Sequence, residues 1–320
     1  MNKTTKKIIL NYVLGPLLLA VLLFLIYRQV TLKGSFDREW SEFKIHWQDG
    51  NRFLIWLVVL LAPVNWIMEA RKWQLLLRKI EPLPFRKALA STLTGISFGL
   101  ITPNRIGDFA GRILYLKHNA RLRGAIATLI SNLAQTVVAF AFGIIGLVYF
   151  NFAYRGGWPA VVLVAALGGT AVLLYFYLRI DILSRWIERF PRLRSLGIAF
   201  RVLRKYSKRD LLKVLGIALI RFCIYNLQFL TFINVFGAGI PWLSGFFLTG
   251  LMFWMLTMLP SIFIADLGVR GFVAGLIFTD TGIAANAVSV LAGSYFIWFL
   301  NLVIPAIIGS FLLLTIRIFR

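Results

Sequence analysis

The chain has 320 residues, 59% of them hydrophobic, with a mean hydropathy of +0.81 and a net charge of +23. Apolar residues at that density, gathered in uninterrupted runs, exclude an ordinary soluble domain, and the want of alternating ten-residue segments excludes a transmembrane β-barrel. The single cysteine, Cys223, rules out an intramolecular disulfide, and the two histidines, His46 and His118, match no metal-ligand spacing, so neither a metal nor another cofactor is expected.

In chain order, Lys3, Lys6 and Lys7 precede an apolar run at 8–27. At 1.5 Å per residue that run crosses about 30 Å of hydrocarbon. It is too long for a signal-peptide core, and YRQVTLKG offers no small-residue cleavage site, so it reads as a retained first helix with a cytoplasmic N-terminus. Segment 28–52 then faces outward, its basic residues matched by Asp37, Glu39, Glu42 and Asp49, with Trp40 and Trp47 as interfacial anchors. Residues 53–68 form a short span. Segment 69–87 carries Arg71, Lys72, Arg78, Lys79, Arg86 and Lys87 and returns to the cytoplasm. Glu69, Arg71 and Lys72, in MEARKWQLLLRK, read there as flank residues snorkelling to water.

Residues 88–101 are too short and too weakly apolar to span, whereas 124–150 and 160–178 are long enough. Segment 179–210 holds ten Lys or Arg residues and is cytoplasmic. Its apolar positions Leu183, Trp186, Ile187 and Phe190, and after Pro191 Leu193, Leu196, Phe200 and Leu203, follow helical spacing. That pattern fits a basic amphipathic helix on an anionic leaflet or a pair of connecting helices equally well. Residues 211–235 span again, 236–241 carry no charge and suit the outside, and 267–279 are short. The last span, 287–316, leads to Arg317 and Arg320 inside. All loop charges agree if 88–117 is a re-entrant hairpin from the cytoplasm and 242–279 one from outside.

The expected fold is therefore all-α: a polytopic helical membrane protein of about six full spans plus two oppositely oriented re-entrant helical hairpins, inverted-repeat-like. It forms one integral membrane domain, 1–320, with a first half 1–178 and a second half 211–320 joined by the basic segment 179–210. Because the basic residues flank apolar runs, the net charge reads as the positive-inside rule plus contact with lipid head groups, not as nucleic-acid binding.

Both hairpins carry a related motif. ITPNRIGDFAGR, residues 101–112, places Asp108 four residues before Arg112, after Pro103; LPSIFIADLGVRG, residues 259–271, places Asp266 four before Arg270, after Pro260. Gly111 and Gly268 fall between the charged partners. On a helix each Asp and Arg share a face and can pair. Arg105 lies just before Asp108, and Arg221 sits inside the span 211–235 with Asn226 and Gln228. Arginines outnumber aspartates, which favours a phosphate-bearing ligand. The candidate substrate-binding residues are thus Arg105, Asp108, Arg112, Arg221, Asp266 and Arg270, since ionisable groups inside a membrane mark functional sites. A purely structural role, each pair stapling its own hairpin, is the competing reading. Asn132, Gln135 and Asn301 read as bridges between helices.

At these residues the sequence resembles the transmembrane region of the lysylphosphatidylglycerol synthases. TPNRIGDFAGRILYL is similar to that family's "TPGriGE…R" segment, and LPSIFIADLGVRG to its "glycine-rich…LGvRE" stretch. The resemblance covers the chain from about residue 50 onward, and Arg112 and Arg270 match best. It departs at three places: Asp108 stands for the usual glutamate, Gly271 for a glutamate after the arginine, and Asp266 for a common glycine. The resemblance implies a multi-pass protein of the bacterial cytoplasmic membrane, with both termini cytoplasmic, that moves a lipid between leaflets. The soluble aminoacyl-transferase domain of the large synthases has no counterpart in these residues, so lipid aminoacylation by this chain is not expected.

Three functions are weighed. The first is a translocator of an anionic or zwitterionic phospholipid, or of a polyprenyl-phosphate-type lipid, with no enzymatic activity. No G-x-x-x-x-G-K-[ST] motif is present, so transport would run downhill or be coupled to ions. The second is a membrane-embedded transferase on a polyprenyl phosphate or glycolipid, with Asp108 or Asp266 as base. The third is a scaffold for a lipid-modifying enzyme, docking through 179–210. Whether the chain forms a homo-oligomer is left open by the sequence.

Overall fold

The computed structural model describes residues 36–49, 51–153, 160–189, 194–259, 263–279 and 282–314. The first apolar run, Lys3, Lys6, Lys7, Arg155, Phe190, Pro191, Leu193, Pro260, Arg317 and Arg320 lie outside the described residues. In chain order the helices are α1 (Phe36–Asp49), α2 (Arg52–Leu77), α3 (Phe85–Ile101), α4 (Gly107–Ile113), α5 (Arg121–Ala153), α6 (Ala160–Leu178), α7 (Asp181–Glu188), α8 (Arg194–Phe200), α9 (Lys208–Val235), α10 (Trp242–Met258), α11 (Phe263–Ala274), α12 (Ala287–Trp298) and α13 (Ile304–Leu314). A π-helical turn at Phe299–Val303 joins α12 and α13 into one rod.

Among the described residues five rods are long and apolar enough to cross a membrane: α2, α5 with its preceding turn, α6, α9 and the α12–α13 rod. The spans expected at 124–150, 160–178 and 211–235 are there, some a few residues longer, and the one expected at 287–316 is there as far as Leu314, where the described residues end. Local chemistry sets the ends. Asn51 caps α2 by accepting from the Phe53 N–H at 3.1 Å, and Ser207 and Asp210 form a reciprocal capping box at the start of α9. The span expected at 53–68 runs on as α2 to Leu77, which carries Glu69 and Lys72 into the helix body.

The expected hairpin 88–117 is a helix pair, α3 and α4, closed by a short turn at Pro103–Arg105. Its glycines are there for proximity. Gly95 and Gly99 on α3 face Gly107 and Gly111 on α4, and a Cβ on Gly111 would sit 2.6 Å from the Thr94 carbonyl oxygen. Small residues at four-residue spacing let backbones approach where no hydrophobic drive between helices exists. The α13 segment docks on the other side of α3, where Gly309 lies against the Leu93 carbonyl and the Ser97 hydroxyl donates to the Ala306 carbonyl at 2.6 Å. The second expected hairpin, 242–279, comprises α10, which packs along α5, and α11, which packs against α12.

Segment 179–210 is built as short connecting helices, and it is buried only in part, with Leu183 and Phe200 packed against the core. Val202 and Leu203 are buried, and Tyr206 donates to the Leu76 carbonyl at 2.8 Å, docking the segment on α2. Trp186 and Ile198 stay exposed. Glu188 clips α7 to the turn that follows α8, accepting from Arg201 Nε at 3.1 Å and Arg204 Nη2 at 2.6 Å. Desolvation pulls the Glu188 carboxyl upward, but the hydrogen bonds and charges of Arg204 and Arg201 outweigh it and hold the carboxyl below its usual value.

On α1, Trp40 and Trp47 are exposed, as their proposed anchoring requires. Glu39 instead turns inward and accepts from the Ala287 and Val288 N–H groups at 2.8 and 3.3 Å, beside the N-cap Asn286. A carboxylate there satisfies orphan donors and faces the positive end of α12. Glu39→Ala should lower stability by about 0.5–2 kcal/mol, the range for a lost cap. A melting curve of the detergent-solubilised protein checks this; an unchanged midpoint would refute the capping role.

Two apolar cores form, one at each end of the helix bundle. The first gathers Trp73, Leu76 and Leu77 of α2 with Ile126 and Ile130 of α5 and Leu211 and Val214 of α9. The second gathers Val58 and Ala62 of α2, Leu147 of α5, Phe229, Leu230, Phe232 and Ile233 of α9, Phe236 just after it, and Leu248 and Leu251 of α10. The segments of α2 and α9 lying between the two cores carry the polar residues, and the site lies there.

Candidate functional site

Glu69 is the hub. It is 4% exposed, one residue of a helix face that also carries Asn65 and Lys72. Its Oε1 accepts from Arg112 Nη2 at 2.8 Å and from the Ser131 hydroxyl at 3.3 Å. Its Oε2 pairs with Lys72 Nζ at 2.8 Å and with Arg221 Nη1. Three cations from three helices therefore converge on one carboxylate. Lys72, 1% exposed, also donates to the Ser131 carbonyl at 3.3 Å.

The expected interfacial role of Glu69 and Lys72 is thus overturned: both face inward. Arg71, off that face, is exposed, lies 4.2 Å over the Phe85 ring and donates to Gln74, and it alone of the three is a surface flank residue. The signal for the other two was in the sequence. Asn65, Glu69 and Lys72 are spaced four and three apart, one stripe of a helix, once α2 is carried to Leu77.

Arg221 lies midway along α9, where about half of that helix's roughly 40 Å length precedes it. Besides Glu69 it donates to Asn65 Oδ1 at 2.7 Å and Gln135 Oε1 at 3.2 Å. Asn65 in turn donates to Asn301 at 2.9 Å, and Asn301 to Gln228 at 3.0 Å. Gln135 and Asn301 bridge helices, as expected from the sequence, and both also line the cavity described below, as does Asn132. Asn226 donates to the Phe246 carbonyl at 3.3 Å and ties α9 to α10.

Both Asp–Arg motifs are formed pairs. Arg112 Nε donates to Asp108 Oδ1 at 2.8 Å, and Arg270 Nε to Asp266 Oδ2 at 3.2 Å. Asp266 also accepts from the Trp298 indole at 2.9 Å, a partner no motif announced. Asp266, placed before Arg270 where the family pattern has its acid after the arginine, therefore meets the arginine through the i, i+4 geometry of α11. Arg112 is 3% exposed, lies 5.5 Å from the Trp73 ring centre, and keeps Nη1 buried without a hydrogen-bond partner.

The two copies meet at the tip of the α3–α4 pair. Thr102 fixes the turn, its hydroxyl accepting from the Gly107 N–H at 2.7 Å and donating to the Phe98 carbonyl at 2.9 Å. Asn104 and Arg105 follow with φ of +50° and +56°. A left-handed conformation costs a non-glycine residue roughly 1–2 kcal/mol, and strain of that kind concentrates where function requires it. Here it directs Arg105 across to Asp266, with Nη2 3.9 Å from Oδ2.

All six sequence-predicted residues line one cavity of about 580 Å³, together with Glu69 and Lys72. Its charged lining is Lys72, Arg105, Arg112, Arg221 and Arg270 against Glu69, Asp108 and Asp266. One wall is apolar and aromatic, with Phe222, Tyr225, Phe229, Met252, Phe253 and Leu256. The volume falls in the range of small-ligand sites, and a lining that is part charged and part apolar suits an amphiphile.

Spans and cavity together define the class: a multi-pass α-helical membrane protein with a cationic, amphiphilic chamber among its helices. Within that class the chain belongs to a family, that of the lysylphosphatidylglycerol synthase TM region, whose model matches residues 12–309. The match begins earlier than the resemblance read from the motifs and takes in most of the first apolar run. No curated protein matches the chain.

Proposed function

We propose that the chain is a lipid translocator that moves a phosphate-bearing lipid between leaflets, binding the head group in this cavity while the acyl chains stay against the apolar wall and the bilayer. One observation carries the reading: five cations and three carboxylates line a chamber that also has an aromatic, apolar side. Arginine forks suit phosphate oxygens. Arg112 and Arg270 would contact phosphate, and Asp108 and Asp266 would hold their guanidinium planes in place. Membership of a family named for a phospholipid synthase supports a lipid as cargo.

In this reading α3–α4 and α10–α11 are re-entrant hairpins entering from opposite faces, the cytoplasmic one carrying Arg105 at its tip. The two halves of the chain form an inverted repeat around the shared site, the arrangement of transporters whose sites lie at discontinuous helices near the midplane. Both termini face the cytoplasm, and the protein carries its ligand without altering it chemically.

Arg112→Ala and Arg270→Ala should each reduce head-group translocation in proteoliposomes more than about tenfold, the loss expected for a charge-assisted bidentate contact. Arg270 is less entangled in the Glu69 network, so its variant separates binding from folding. Full activity in both variants would overturn the assignment. Conversion of candidate donors to product by the purified protein would replace it with a transferase.

A further inference from the structure

Resting on the translocator reading, we infer that the head group this cavity takes is a dianion, a phosphate monoester, rather than a zwitterion or a cationic, aminoacylated lipid. The charges fall into two clusters. In the deeper one Lys72, Arg112 and Arg221 face Glu69 and Asp108, an excess of one positive charge. In the outer one Arg105 and Arg270 face Asp266, again an excess of one. Both clusters open on the same chamber.

Hydrogen-bonding capacity points the same way. All three carboxylates are already engaged: Glu69 by Lys72, Arg112, Arg221 and Ser131, Asp108 by Arg112, and Asp266 by Arg270, Trp298 and Arg105. An incoming ammonium would have to share a carboxylate that already faces a cation, and it would add to the positive excess of either cluster. Donors, by contrast, are in surplus. Among the described residues Arg112 Nη1 is buried with no partner, and the Arg105 side chain, 46% exposed, meets Asp266 at the long distance of 3.9 Å.

Uncompensated charge inside a membrane protein is costly, and a loaded chamber is best tolerated when it is neutral. A phosphate monoester carries close to two negative charges at neutral pH and three acceptor oxygens, which matches both clusters at once. A phosphodiester leaves one cluster unmatched, a zwitterion leaves both, and an aminoacylated lipid adds to the excess. Two sources supply the required chemistry, a diacylglycerol phosphate and a polyprenyl phosphate.

The test is competition among lipids for the purified full-length protein, read by native mass spectrometry. The probes are phosphatidic acid, a polyprenyl phosphate, phosphatidylglycerol, phosphatidylethanolamine and an aminoacylated phosphatidylglycerol. At least one monoester should be retained about tenfold over phosphatidylglycerol, the size of one further charge-assisted contact, and further over the last two. The better competitor of the two monoesters identifies the source. Arg105→Gln, which removes the outer cluster's excess charge, should bring the preference for monoester over diester close to unity. Retention that depends on Arg270 but is indifferent to head-group charge would overturn this inference and leave the translocator reading standing. If no lipid is retained, or if retention is the same in Arg112→Gln and Arg270→Gln, both fall.

Discussion

Glu69→Ala should be the most damaging single substitution in the protein, destabilising it by about 3–5 kcal/mol, the range for removing one partner from a buried ion pair. Glu69 is nearly inaccessible and compensates Lys72, Arg112 and Arg221 together. Without it, three cations from α2, α4 and α9 face one another with only Asp108 among them. Glu69→Gln keeps the hydrogen-bonding shape but not the charge and should fall between Ala and the parent. The double variant Glu69→Ala, Lys72→Met removes one of the stranded cations and should recover part of the loss, since neighbours in one network are not additive. Denaturation in detergent micelles measures all three. A Glu69→Ala protein as stable as its parent would show that the carboxylate is not what holds these cations together.

The second large effect is steric. A Cβ on Gly107 would meet the Phe98 carbonyl, with its carbon at 2.6 Å and the Thr102 hydroxyl at 2.7 Å. Two of those atoms are backbone and cannot rotate away. Gly107→Ala must therefore push α4 off α3, at a cost of about 1–3 kcal/mol for an overpacked contact. The same shift carries Arg112 away from Glu69, so the translocation proposed above should fall along with stability. Gly216, on α9, has nothing within 4 Å of the same added atom. Gly216→Ala should be neutral or stabilising by up to about 1 kcal/mol, because it removes only the entropic cost of glycine in a helix. Equal melting temperatures for the two variants would mean that the close approach of α3 and α4 is not needed for the fold.

The sequence by itself determined what depends on neighbours within a few turns of helix. Apolar runs longer than the bilayer place most spans to within a few residues, because hydropathy and the helical repeat are local quantities. The pairs Asp108–Arg112 and Asp266–Arg270 were legible for the same reason, since four-residue spacing puts both partners on one face whatever surrounds them. What sequence reading missed was also local in part: the helix face that carries Glu69 was hidden by ending its span at residue 68, where the apolar residues stop. A charged residue ends an apolar run in a hydropathy profile, yet a helix continues through it when the charge is compensated elsewhere.

That compensation is what only the tertiary structure decided. Arg221 reaches Glu69 across 152 positions, Asn65 reaches Asn301 across 236, and Arg105 meets Asp266 of α11. No periodicity encodes such meetings. They follow from how closely the Gly95 and Gly99 face lets α4 approach α3, and from the left-handed turn that aims Arg105 across the chamber. Local chemistry made each motif a pair; packing made the two pairs the walls of one cavity.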